Sequence, residues 1–88
     1  MGSQNNLDVI QARIKSKKDF IFFLENLIKD LKENPSEWEN NNLERFLGAM
    51  SAWVEDMDGL YNNLGIKPPD NIDWQFFGQL LLASRKYE

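Results

Sequence analysis

Residues 43–64, LERFLGAMSAWVEDMDGLYNNL, decide the fold class. Leu43, Phe46, Leu47, Met50, Trp53, Val54, Met57, Tyr61 and Leu64 keep to one side of a helix over about six turns. The stretch is bounded on both sides. Asn40, Asn41 and Asn42 all suit an N-cap, and Asn41 is the expected one because Glu44 then occupies the third helical position of a capping box. Gly65 follows the last apolar residue as a left-handed closing glycine does, and Pro68 and Pro69 prevent a restart.

Upstream, Ser16 and Asp19 form an S-x-x-D start signal. Phe20, Leu24, Leu27, Ile28 and Leu31 then recur at helical spacing, with Phe22 projecting to the opposite side. That helix should stop near Glu33, because the residue before Pro35 is driven away from helical geometry. Asn34 to Trp38 reads as a turn or one short helical turn, with Trp38 closing one end of the core. Leu7, Ile10 and Ile14 fit one face of a shorter helix before Ser16.

Downstream, Asp73 is a good N-cap, and Ile72 and Phe77 stand at the two positions of a hydrophobic staple. Phe76, Phe77, Leu80, Ala83, Ser84 and Tyr87 share a face, and Leu82 points away from it. No alternating stretch rich in Val, Ile and Thr appears, so no sheet is expected. The predicted fold is all-α: a compact bundle of three main helices plus a short N-terminal one, with a long central helix. Residues 7–88 form the single domain. Residues 1–6 are expected to be disordered or, with Met1-Gly2-Ser3, a remnant of expression cloning.

Composition narrows the function. Eighty-eight residues with 42% apolar content support one shared core. With no Cys, thiolate metal sites are excluded, and with no His the commonest general base is missing. A net charge of −4 argues against nucleic acid, which needs clustered Lys and Arg. The one basic cluster, Arg13, Lys15, Lys17 and Lys18, reads as a solvated face. No apolar run is long enough to span a bilayer and no signal peptide opens the chain, so cytoplasmic residence and no membrane partner are expected.

The second face of the 43–64 helix breaks the usual rules. At 100° per residue, Gly48, Ala49, Ala52, Asp56 and Gly59 fall together, as if another backbone approached there, so this helix is expected to be packed on more than one side. Glu55, Asp56 and Asp58 then lie towards the helix C-terminus, where the macrodipole disfavours acids. Rule-breaking of this kind occurs at functional or strained sites. Two readings are open. The helix ends or kinks at Asp58-Gly59 and the acids pair with neighbouring Lys or Arg, or the acids face a partner.

Other chemistry fits poorly. Asp56-Met57-Asp58-Gly59 starts like a calcium loop, but the twelfth position is Lys67 and not Glu. A divalent ion held by Glu55, Asp58 and Glu88 has no supporting motif. Ser51 and Ser84 lack a base at motif spacing. No catalytic residue, metal or cofactor is expected. Trp38, Trp53 and Trp74 are expected in the core, and Phe22 and Leu82, off their helices' main faces, are the exposed candidates for a partner or homodimer surface.

Asn34-Pro35, Trp38-Glu39-Asn40, Leu43, Phe46-Leu47, Ala49-Met50, Ala52-Trp53, Glu55 to Gly59 and Tyr61, followed by Trp74, Leu81-Leu82-Ala83 and Tyr87-Glu88, resemble a family of small bacterial proteins of unknown function. Its pattern is NPxxWEN…FLxAMxAWxEDMDGYY…W…LLAAxxYE, and the resemblance runs from about residue 16 to 88. Leu60 and Ser84 depart from it, where the pattern has an aromatic and Ala. The resemblance implies a stand-alone bacterial cytoplasmic domain and no established activity. In general character such proteins resemble immunity proteins that neutralise toxins. The expected function is therefore a non-catalytic protein-binding module, of immunity or antitoxin type in one form, with a basic protein partner facing Glu55, Asp56 and Asp58. The alternatives are a carboxylate-based enzyme or metal-binding protein using the same acids, and a structural homodimer.

Overall fold

The computed structural model describes residues 3–87, with side-chain surroundings from residue 7 onward. Four α-helices follow one another: α1 (Ser3–Ala12), α2 (Lys17–Glu33), α3 (Leu43–Leu64) and α4 (Trp74–Ser84), with a 3-10 turn at Pro35–Glu37. There is no strand among the described residues. This is the expected all-α arrangement, with the longest helix in the middle of the chain. No helix among the described residues is long and apolar enough to cross a membrane. α1 begins at Ser3, ahead of the domain boundary expected at Leu7.

The helix ends follow their caps. Ser16 accepts from the Asp19 N–H at 3.1 Å, and Asp19 returns the contact by accepting from the Lys15 N–H at 2.9 Å. Asp73 accepts from the Phe76 N–H at 2.8 Å. α3 starts one residue later than expected: Asn42, not Asn41, is its cap, accepting from the Arg45 N–H at 2.8 Å. Glu44 therefore sits at the second helical position, where it still meets the positive end of the helix dipole. At the other end Gly65 has φ 74°, a left-handed geometry that costs glycine nothing.

α4 is the element on which the others lean. α1, α2 and α3 all pack against it, α1 also packs on α2, and among the described residues α3 meets no other helix. The expectation that α3 is packed on more than one side is corrected accordingly. Such a position explains why α4 is apolar over most of its circumference: Leu81 and Leu82 turn to one core cluster, and Phe76, Leu80 and Ala83 to another. The first cluster holds Leu7, Ile14, Phe20, Phe23, Leu27 and Trp38. The second is built on Trp53, Tyr61 and Phe76. α1 is tied to α4 by a reciprocal pair, Gln11 donating to the Gln75 carbonyl at 3.0 Å and Gln75 donating to the Ala12 carbonyl at 2.7 Å. Gly78 permits this closeness, since a Cβ there would lie 2.6 Å from Ile14 Cδ1.

Two helical phases differ from expectation. α2 buries Phe20, Phe23, Leu27 and Asp30, while Ile28 stands 56% exposed and Leu31 is also exposed. α3 buries Ala49, Trp53 and Tyr61, and leaves Leu43, Leu47, Val54 and Leu64 open to solvent. The buried side of α3 is thus the seam between its apolar stripe and its small-residue face. Trp38 and Trp53 are core residues as expected, whereas Trp74 is exposed with its ring against Phe20, centroids 5.1 Å apart.

Candidate functional site

α3 runs without interruption through Asp58 and Gly59, so the acids do not mark a helix end. It continues six residues past Asp58, and the macrodipole acts mainly within the last turn. The dipole therefore opposes these acids less than the sequence suggested. All three are exposed, but they do not behave alike. Glu55 and Asp58 have neither hydrogen bond nor ion pair among the described residues.

Asp56 has a structural partner. Its carboxylate accepts a short hydrogen bond from the Tyr87 hydroxyl. That bond, then burial, then the neighbouring negative charge hold the Tyr87 phenol above its usual pKa. Tyr87 stays protonated as a donor and is no candidate base at neutral pH. It is delivered to α3 by Asn40, whose side-chain amide donates to the carbonyls of Ser84 at 3.0 Å and Tyr87 at 2.8 Å. The Asn40 N–H also donates to the Arg85 carbonyl at 2.9 Å. These bonds satisfy acceptors left free at the end of α4. Asp56 and Tyr87 together flank an open cleft of about 420 Å³ with Trp53, Met57 and Leu60.

A second polar group was not anticipated at all. Asp30 is 7% exposed on the buried face of α2. It accepts from the Trp38 indole N–H at 2.8 Å and from Asn34 Nδ2 at 3.1 Å, and pairs with the buried Arg85 at 3.4 Å. The Arg85 guanidinium also lies over the Trp38 ring, 5.8 Å from its centroid, and donates to the Leu82 carbonyl at 3.0 Å. Asn34, Trp38 and Asn40 of the N-P-x-x-W-E-N stretch thus serve as anchors between α2, the linker and the end of α4. The only trace in the sequence is a polar residue continuing the 20, 23, 27 spacing at 30.

The two apolar candidates separate. Phe22 is 55% exposed on α2. Leu82 is half-buried against the first core cluster, because α4 has a core on more than one side, and it is not the exposed companion of Phe22. Among the described residues no three acidic side chains come together as metal ligands. Glu88, part of the divalent-ion idea, lies outside the described residues. What the surface offers instead is apolar: Leu43 at 72%, Leu47 at 51%, Val54 at 44% and Leu64 at 62% exposure along α3. Glu44, Glu55 and Asp58 stand exposed on the same helix.

No curated protein and no solved structure matches the chain. A family model does match, over residues 16–88, which takes in α2, α3, α4 and the anchored linker between α2 and α3. The chain belongs to the Family of unknown function (DUF7660).

Proposed function

We propose that this chain is a non-catalytic protein-binding domain that docks its partner on the outer side of α3. The observation that carries the reading is the exposure of Leu43, Leu47, Val54 and Leu64 on a helix whose adjoining side already packs on α4. Scattered exposed leucines are ordinary, but a row of them along one helix is the signature of a docking face. Glu55 and Asp58, free of internal partners among the described residues, supply a charged rim that favours a basic partner and fixes its register. Asp56 belongs to the scaffold through Tyr87 and has a lesser part in recognition. An immunity or antitoxin role in a bacterial cytoplasm is one concrete form of this function.

The test is a photo-cross-linking side chain placed at Leu47 or Val54 in the source cell, with Lys67 as an exposed control. A discrete adduct from the α3 positions and none from Lys67 is expected. Glu55→Gln with Asp58→Asn should weaken the adduct more at low salt than at high salt. No adduct from either α3 position refutes the docking face.

A further inference from the structure

The open side of α3 has a more specific pattern than mere exposure. From Leu43 its apolar residues fall at 47, 50, 54, 57, 61 and 64, alternating steps of four and three. The mean period of 3.5 is that of a helix lying along another helix at a shallow crossing angle. The chain covers this row only in part: Tyr61 is buried and Met50 and Met57 are half-buried, whereas Leu43, Leu47, Val54 and Leu64 are exposed. The charges on α3 are Glu44, Glu55, Asp56 and Asp58 against Arg45 alone.

α2 carries the complementary row. Ile21, Leu24, Ile28 and Leu31 follow at steps of three, four and three, with Ile21, Ile28 and Leu31 exposed. Its charged neighbours are mainly Lys18, Lys29 and Lys32, with Glu25 between them. The lengths agree: ten residues from Ile21 to Leu31 make about 15 Å, and eleven from Leu43 to Val54 about 16 Å. Within one chain the rows do not meet. Trp38 is held to Asp30 and Asn40 to the end of α4, so α2 and α3 both lie against α4 and not on each other. Leu31 and Leu43, the near ends of the two rows, are left lining an open cleft of about 290 Å³ with Trp38 and Phe46.

We infer that a second copy of this chain covers both rows, α2 of each protomer lying antiparallel on α3 of the other about a two-fold axis. The inference rests on the reading of α3's outer side as the docking face and names its partner. In the antiparallel register Leu31 meets the partner's Leu43, Ile28 its Leu47, Leu24 its Met50 and Ile21 its Val54. The same register brings Lys32 beside the partner's Glu44 and Lys18 beside the partner's Asp58, so apolar and charged positions match together. Pairing α3 with α3 would set acids against acids. Two-fold symmetry makes the α2–α3 contact twice and covers Ile21 to Leu31 and Leu43 to Val54 on both protomers.

The experiment is sedimentation velocity over a concentration series at low salt, with helicity checked by circular dichroism. The wild-type chain should move from one to two chain masses as concentration rises. Lys18→Glu with Lys32→Glu, and separately Glu44→Lys with Asp58→Lys, alter exposed residues and should each weaken the dimer roughly tenfold. Mixing the two variants should restore association, because opposite charges then face each other at both contacts. A wild-type chain that stays monomeric at every concentration overturns the inference. So does an α3 reversal that tightens association, or a mixture that stays monomeric. A monomer that still yields an α3 cross-link to a protein of another mass removes the second copy and leaves the docking face standing.

Discussion

Asp30→Ala is the sharpest test of how this small domain holds together. The carboxylate is 7% exposed and serves three donors, the Trp38 indole, the Asn34 amide and the Arg85 guanidinium. Removing it leaves the buried indole N–H unpaired, which costs about 1–3 kcal/mol. It also strips Arg85, 8% exposed, of its one ion pair among the described residues, and breaking a buried pair from one side costs about 3–5 kcal/mol. The two losses overlap, so the expected total is about 3–5 kcal/mol. An 88-residue domain has about 4–13 kcal/mol of stability at typical values per residue, so the variant loses a large share of the total and, at the lower end of that range, is unfolded at room temperature. Asp30→Asn keeps an acceptor for Trp38 and should lose about 1–3 kcal/mol. The assay is urea unfolding followed by circular dichroism and tryptophan emission. In Asp30→Ala with Arg85→Ala the losses should be well short of additive. A cost below about 1 kcal/mol for Asp30→Ala, or simple additivity in the double variant, would refute the argument.

Other perturbations read different parts of the fold. Trp53→Ala, in the second core cluster against Phe76, should cost about 3–5 kcal/mol in the same urea assay. Gly48→Ala meets open space in mid-helix and should stabilise by about 0.5–1 kcal/mol. Gly78→Ala should instead destabilise by about 1–3 kcal/mol, because Ile14 is 2% exposed and has nowhere to move; a more stable Gly78→Ala would show the α1–α4 contact to be loose. Glu55→Gln and Asp58→Asn should each shift stability by less than about 0.5 kcal/mol in thermal melts, as exposed unpaired groups do. The Tyr87 phenol is raised, so its bond to Asp56 stabilises the fold fully below the unfolded value near pH 10 and is lost as pH rises through the folded value. Ultraviolet titration should find one tyrosine ionising above pH 10, and returning to about 10 in Asp56→Ala; an unchanged titration would deny the bond.

Element order, caps and stops were legible because each is a local matter: Ser16, Asp73 and Gly65 act within a few residues of themselves. Phase was less legible, and the reason lies in particular residues. α2 carries two apolar rows one residue apart, Phe20-Phe23-Leu27 and Ile21-Leu24-Ile28-Leu31, and nothing local says which meets the core. Periodicity alone would place Asp30 in water, and its burial is tolerable only because Trp38 and Arg85 come to it from elsewhere in the chain. On α3 the long apolar stripe announced packing, but its presence cannot say whether the packing is within the chain. Of the five candidate site residues, Glu55, Asp58 and Phe22 stand exposed, Asp56 is held by Tyr87 and Leu82 is half-buried against the core. The Asp56–Tyr87 bond joins residues 31 apart, beyond the reach of helical periodicity.

α4 is made after the three helices that rest on it. While a ribosome adds about 5–20 residues per second, α1, α2 and α3 emerge with Phe23, Leu27 and Trp53 lacking the surface that will cover them. Arg85 and Tyr87, which close on Asp30 and Asp56, arrive later still. Completion of this domain is therefore a late event: α1 and α2 can pair as they emerge, but both core clusters stay open until α4 arrives. A nascent chain halted at Leu64 would present the side chains that α4 covers, Trp53 among them, to chaperones and to other chains, with only the α1–α2 contact to shelter part of its apolar surface.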